Sequence, residues 1–266
     1  MPHNFTNHID VFNHNRASWD RQAAQHCEWS RPVSAKEIDA ARNGKWQVRL
    51  TPNALPRGWL DNVLSLRILC LASGGGQQAP VLAAAGAVVT VFDASDLQLG
   101  QDRMVAQRDG LKLNVVQGDM RDLSVFAAAS FDVVFHPISN LYVPDIRPVW
   151  RECFRVLRIG GTLLSSFYNP VVFIGDRDPV YAEQKLIRPR FSLPYSDVEH
   201  LDAKELVEKQ RRGEALVFGH SLEEQIGGQL DAGFVLTGFY EDKQPSPRFV
   251  IDRYLPTFLA TRSTKP

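Results

Sequence analysis

The stretch Ile68–Pro80, ILCLASGGGQQAP, decides the fold. Its apolar start breaks into clustered small residues, a helix opens directly after them, and about twenty residues on a second apolar run, VTVFDAS, ends in Asp93. A strand, a glycine turn, a helix and a second strand closing on an acid is how a doubly wound α/β protein holds a nucleoside. Glycine suits the turn because the backbone bends sharply and must come close to a ligand, where a Cβ would collide. Asp93 is then placed to accept hydrogen bonds from two ribose hydroxyls. A dinucleotide loop would set a third glycine at position 77, to make room for a pyrophosphate, and the chain has Gln77 there. The small residues fall instead at Ala72, Gly74 and Gly76. Without a ligand, the same SGGG would be a flexible surface turn.

Working outward, strands alternate with helices, the pattern of a parallel sheet covered on both faces. Strands are expected at Arg67–Leu71, Val88–Phe92, Leu113–Val116, Phe131–Phe135 and Thr162–Phe167. Helices are expected at Gln77–Ala85, from Ser95 to Arg108 with a stop at Gly110, and at Asp145–Leu157 before a Gly160-Gly161 turn. Pro80 is tolerated because it lies in a first turn, where no N–H is needed. Ser221 and Glu224 form a capping box for a helix to Asp231, and the apolar runs Phe234–Phe239 and Pro256–Thr261 read as two final strands. Polar residues follow the carboxyl ends of the inner strands: Gln117-Gly118-Asp119-Met120, and His136-Pro137-Ile138-Ser139-Asn140.

The every-second-residue spacing of Ala72, Gly74 and Gly76 resembles the nucleotide loop of class I S-adenosylmethionine-dependent methyltransferases. Four sites in the right chain order and the helix-then-two-strands ending resemble that family too, over Leu66–Phe167 and Ser221–Arg262. The resemblance implies a Rossmann-like, doubly wound, mostly parallel seven-stranded sheet with its last strand antiparallel beside the fifth. It implies S-adenosylmethionine as cofactor, S-adenosylhomocysteine as product and a small-molecule acceptor. Asp119 would receive the adenine amino group, with Met120 packed beside the ring. Ser73, Gln77, Ala94, Gln98 and Gly118 would complete the cofactor site, and His136 falls in the stretch that lines methyl transfer. The chain departs from the family at Cys70, where an acid is usual, and at Ala72, where the first glycine is usual. Cys70 reads as packing, so the methionine ammonium would rest on carbonyls near Ala72 and Ser73 or on another side chain.

This reading divides the chain into an N-terminal lid (1–60), a cofactor core (61–167), a cap insertion (168–220) and the rest of the sheet (221–266). His14 and Trp19 in the lid, with Asn140 and Tyr142 after the fourth strand, are the candidates for orienting an acceptor; Trp19 and Trp29 equally suit packing on the sheet. In the cap, Arg188–Asp197 looks extended and Ala203–Arg212 helical, with EKQRR as a solvated face or an anion site. His136 is the candidate base, since an imidazole titrates near neutral pH; a polar cap on the strand end or a bond to the cofactor would serve the same residue. A nicotinamide-dependent oxidoreductase and a catalytically silent nucleoside-binding protein are the alternatives.

Lys+Arg and Asp+Glu balance at 30 each in 266 residues. No global field draws the chain to nucleic acid or an anionic membrane, and a roughly neutral small substrate is expected. Cys27, Cys70 and Cys153 have no metal or CxxC spacing and read as reduced thiols; no metal site is expected. The opening MPHNFTNHIDVFNHNR lacks the basic start and apolar core of a secretory leader. The longest apolar run, Val81–Phe92, is too short to span a bilayer. Together these predict a cytoplasmic protein with no membrane contact.

Overall fold

The structure is a computed structural model that describes residues 9–266; residues 1–8, which begin the expected lid and hold half of the leader reading, lie outside it. The core runs β1 (Arg67–Leu71), α3 (Gln78–Ala84), β2 (Val88–Asp93), α4 (Asp96–Asp109), β3 (Leu113–Gln117), β4 (Phe131–His136), α5 (Arg147–Val156) and β5 (Leu157–Tyr168). Before it come α1 (Val11–Ala24) and α2 (Ala35–Arg42). After it the cap carries α6 (Pro179–Glu183), β6 (Tyr195–Ser196), α7 (Asp197–His200), α8 (Ala203–Arg211) and β7 (Phe218–Gly219). A π-turn at Glu223–Gly227 leads through α9 (Gly228–Asp231) to β8 (Val235–Asp242) and β9 (Phe258–Thr264).

The seven-stranded sheet has the order β3-β2-β1-β4-β5-β9-β8. β1 to β5 are parallel, and β9 enters antiparallel between β5 and β8. The order reverses between β1 and β4, which opens a crevice at the carboxyl ends of both strands. β1 is buried on both faces, as a central parallel strand should be: Ile68 and Cys70 belong to one core layer, Leu69 and Leu71 to the other. The expected Thr162 start of β5 moves back to Leu157, because the strand continues through Gly160 at φ +72° and the register with β4 slips between Phe131 and Val133.

The N-terminal segment does more than cover a mouth. Ile38, Ala41, Val48 and Leu50 are buried in the same core layer as Ile68, and the Ser34–Glu37 capping box that starts α2 is formed. α1 is stitched to the cap: the Asn15 side chain donates to the carbonyls of Tyr142 and Leu216 and accepts the Leu216 N–H, at 2.9, 2.9 and 2.8 Å. EKQRR is not a wholly solvated face. Its Lys209 is buried and pairs at 2.6 Å with Asp197, which is fully buried and also accepts from the Tyr195 hydroxyl and the Val217 N–H. Among the described residues no helix is long and apolar enough to cross a membrane, and no His, Cys, Asp and Glu cluster could hold a metal ion.

Candidate functional site

A cavity of about 1310 Å³ opens over the carboxyl ends of β1 to β4, floored by the loops that follow them and walled by α1, residues 28–33, residues 44–52 and residues 244–248. That is more room than one small ligand needs.

The loop after β1 is fixed from below by α4. Ser95 caps α4 by accepting the Gln98 N–H, which turns Gln98, Leu99, Asp102 and Val105 inward at helical spacing. Gln98 Oε1 accepts the Gly75 N–H at 2.7 Å and Gln98 Nε2 donates to Ser30 Oγ at 2.5 Å. Asp102 Oδ1 accepts the Gly76 N–H at 2.9 Å. The tight approach is at Gly75: a Cβ there would stand 2.2 Å from the Gln98 carbonyl oxygen. Ala72, in the first-glycine place, holds φ +46°, a left-handed geometry that costs a residue with a Cβ. Burial pushes the Asp102 carboxyl up to about 8, against the opposing Gly76 amide, and its second oxygen has no hydrogen-bond partner. Burial likewise pushes up the Cys70 thiol, which lies in the β1 core as packing.

Asp93 stands half-buried at the end of β2, and Oδ1 accepts the Ser95 N–H at 2.8 Å. Burial pushes its carboxyl up to about 6; the Ser95 amide opposes this and the Asp20 charge adds to it. Asp20 comes from α1 and accepts from Ser95 Oγ at 2.6 Å, docking α1 beside Asp93. After β3, a Cβ on Gly118 would meet the Phe92 ring at 2.2 Å, so the chain passes there only without a side chain. Asp119 lines the cavity in an ion pair with Arg121 at 2.5 Å, with Met120 beside it.

Of the residues expected at the site, Ala72, Ser73, Gly74, Gln77, Asp93, Ala94, Gln98, Gly118, Asp119, Met120, Trp19 and Tyr142 line this one cavity. Gln77 also holds the lid, donating to the carbonyls of Glu28 and Arg31 at 3.2 Å each. Trp19 meets Tyr142 edge-on with ring centres 5.1 Å apart. Four expected residues are elsewhere. Gly76 lies beneath the loop, against Pro32 and Asp102. His14 is spent on the Glu214 carbonyl at 2.8 Å, part of the lid-to-cap stitching. Asn140 is buried and donates to Gln225 Oε1 at 2.8 Å, because the chain after β4 turns into a short 3-10 helix that carries it away from the cavity.

His136 is fully buried, with Nδ1 3.0 Å from the Leu71 carbonyl oxygen and its ring edge-on to Trp150. Burial lowers its pKa to about 4, so it is neutral at physiological pH. It does not line the cavity. The candidate base is therefore a core histidine, because the last residue of β4 turns inward and the wall is formed by Pro137, Ile138 and Ser139 instead.

Sequence reasoning missed Gly75, Asp102 and Asp20. The signal for Asp102 was present in Gln98, Leu99, Asp102 and Val105, a stripe at i, i+1, i+4 and i+7 in which two members are polar; a buried polar residue on such a stripe is there to hold something.

Two features fit a nucleoside. Among the described residues no hydrogen bond reaches Asp93 Oδ2, at the cavity wall. The buried Ser73 hydroxyl has no oxygen or nitrogen partner, only the Cys70 thiol beside it.

The comparisons agree. Residues 69–165 match the family described as methyltransferase domain. The chain is 49% identical over 253 residues, 95% of its length and 97% of the relative's, to the uncharacterized methyltransferase YbaJ of Bacillus subtilis (strain 168). It is 31% identical over 120 residues, 44% of its length and 51% of the relative's, to the ubiquinone biosynthesis O-methyltransferase of Aromatoleum aromaticum. In fold it is similar to the crystal structure of an S-adenosylmethionine-dependent methyltransferase from Mesorhizobium loti, with a TM-score of 0.57 at 19% identity, covering 78% of this chain and 94% of that one. The nicotinamide alternative falls away: with its glycine loop, its sheet order and a relative matched over nearly its whole length, the chain belongs to the class I S-adenosylmethionine-dependent methyltransferases.

Proposed function

We propose that the chain methylates a small molecule, with the cofactor across the loops after β1, β2 and β3 and the acceptor beside Tyr142 and Trp19. Asp93 carries this reading, because its unbonded carboxylate oxygen at the end of β2 is where two ribose hydroxyls can be accepted. The Gly118–Met120 turn would receive the adenine, and Ala72, Ser73 and Gly74 the amino-acid end. The cofactor supplies an electrophilic sulfonium methyl when bound. The chain supplies position: α4 holds the loop through Gln98 and Asp102, and α1 closes over Asp93 through Asp20. Alignment of acceptor and methyl contributes much of such an acceleration. With His136 buried in the core, we read transfer as proceeding without it as base. The three cysteines are free thiols, which supports a reducing, cytoplasmic setting.

Calorimetry tests this. S-adenosylmethionine and S-adenosylhomocysteine should bind and NAD(H) should not; binding of NAD(H) alone would sink the proposal. Asp93→Ala should weaken cofactor binding more than Asp119→Asn. It removes charge-assisted bonds worth roughly 1.5–3 kcal/mol each, whereas an amide at 119 still accepts one.

A further inference from the structure

The cavity is basic although the chain is not. Its walls carry Arg16, Arg31, Lys45, Arg49, Arg121 and Arg248 against Glu28, Glu37, Asp93 and Asp119. Among the described residues, Arg121 alone of these six cations has a carboxylate within 4 Å. The Glu37 carboxylate is spent on the Ser34 capping box, and Asp93 and Asp119 face the nucleoside end.

Arg248 is the cation best placed for an acceptor. It shares its corner with Tyr168, Gln244, Trp29, Phe249, Phe258 and Asp252. The guanidinium is steadied over the Phe249 ring, 5.4 Å from its centre. Asp252, the acid nearest along the chain, accepts the backbone N–H groups of Arg248 and Phe249 at 2.8 and 2.7 Å and forms no ion pair with the guanidinium. Burial raises the phenol of Tyr168 while Arg248 draws it down and Asp252 opposes Arg248; burial raises that of Tyr142 too, again with Arg248 opposing. Both phenols line the same cavity as Arg248. At the same corner the Gln244 amide oxygen is buried with no hydrogen-bond partner. A planar cation with no ion pair among the described residues, the Tyr168 phenol, an unpartnered amide and aromatic walls make a site for a flat ligand bearing a negative group.

Resting on the methyltransferase reading, we infer that the acceptor is an aromatic or otherwise flat small molecule carrying an anionic group, a carboxylate or its like, held by Arg248 with Tyr168. This replaces the roughly neutral substrate that the balanced overall charge suggests.

The test uses the full chain saturated with S-adenosylhomocysteine and titrates two matched probes, salicylate and salicylamide, by calorimetry. Salicylate should bind about tenfold more tightly than salicylamide, as a charge-assisted pair allows. Arg248→Met should abolish the preference while S-adenosylhomocysteine still binds normally, and Arg248→Lys should restore part of it. Equal binding of the two probes, binding of neither at millimolar concentration, or a wild-type preference in Arg248→Met overturns the inference. The first titration separates the two readings: a chain that fails to bind S-adenosylhomocysteine defeats the methyltransferase site, whereas one that binds it and ignores probe charge defeats only the anionic acceptor.

Discussion

An imidazole buried without a counter-ion destabilises the fold only when it is charged, and His136 is in that position. Its pKa is about 4 folded and about 6.5 unfolded, so between those values the unfolded chain binds more protons and stability rises with pH. The contribution is complete above pH 6.5 and lost as pH falls toward 4, about 3 kcal/mol in all. In His136→Gln, whose amide can still donate to the Leu71 carbonyl, denaturation measured across that window should lose the slope. Turnover should stay within roughly threefold of wild type, not the 10²–10⁴-fold loss expected of a base. Asp102 has the opposite sign. Its carboxyl titrates at about 8 folded and 3.8 unfolded, so stability falls as pH rises between the two. Asp102→Asn keeps an acceptor for the Gly76 N–H and should be more stable than wild type at pH 8 with cofactor affinity intact. Asp102→Ala leaves that N–H unpartnered, and its affinity should drop by roughly tenfold, within the 1–3 kcal/mol that such a loss costs. The burial of His136 was not legible in sequence, since a polar residue at a strand end usually faces water, whereas Asp102 lies on the inward stripe of α4 with Leu99 and Val105.

Among the elements, the lid and cap depend on a few buried polar contacts. Asn15 joins α1 to the stretches after β4 and before β7, and the Lys209–Asp197 pair holds α8 to the cap. Lys209→Met would strand the fully buried Asp197 carboxylate and should cost about 3–5 kcal/mol in chemical denaturation, while the double change Lys209→Met with Asp197→Asn should recover much of it. Elements with strong local signals agree with the sequence reading to within a residue or two: Ser95 caps α4, Gly110 ends it at φ +63°, and Ser221 with Glu224 forms its capping box. Caps do not fix every boundary: α1, which the sequence places at Asn15–Ala24, begins at Val11 after the Asp10 cap, and the helix after Ser221 passes through a π-turn.

At the scale of the whole molecule, the sheet was legible because its strands are apolar runs with glycine or polar residues at their ends, a pattern set by burial on both faces. The nucleoside half of the site was legible for the same reason, since it is built from strand ends and a glycine turn. The proposed acceptor half was not. Tyr168 ends β5, Arg248 lies between β8 and β9, and residues 44–52 come from before β1, so only the folded chain brings them together. Composition could not show this: equal totals of acid and base over the chain conceal a cavity lined by six basic and four acidic side chains.

The position of β9 governs how such a protein can be made. The strand lies inside the sheet, paired with β5 over Thr162–Tyr168 and with β8 on its other side, and Lys265 just beyond it donates to the carbonyls of Phe154 and Leu157. A ribosome synthesises every residue of the nucleotide loop long before it reaches Phe258. Until then β5 has an open edge, β8 has no partner in the sheet, and the closing contacts of Lys265 reach back across 111 and 108 residues. The early half thus waits on the late half, and a growing chain carries an unpaired strand edge that chaperones or neighbouring chains can meet first.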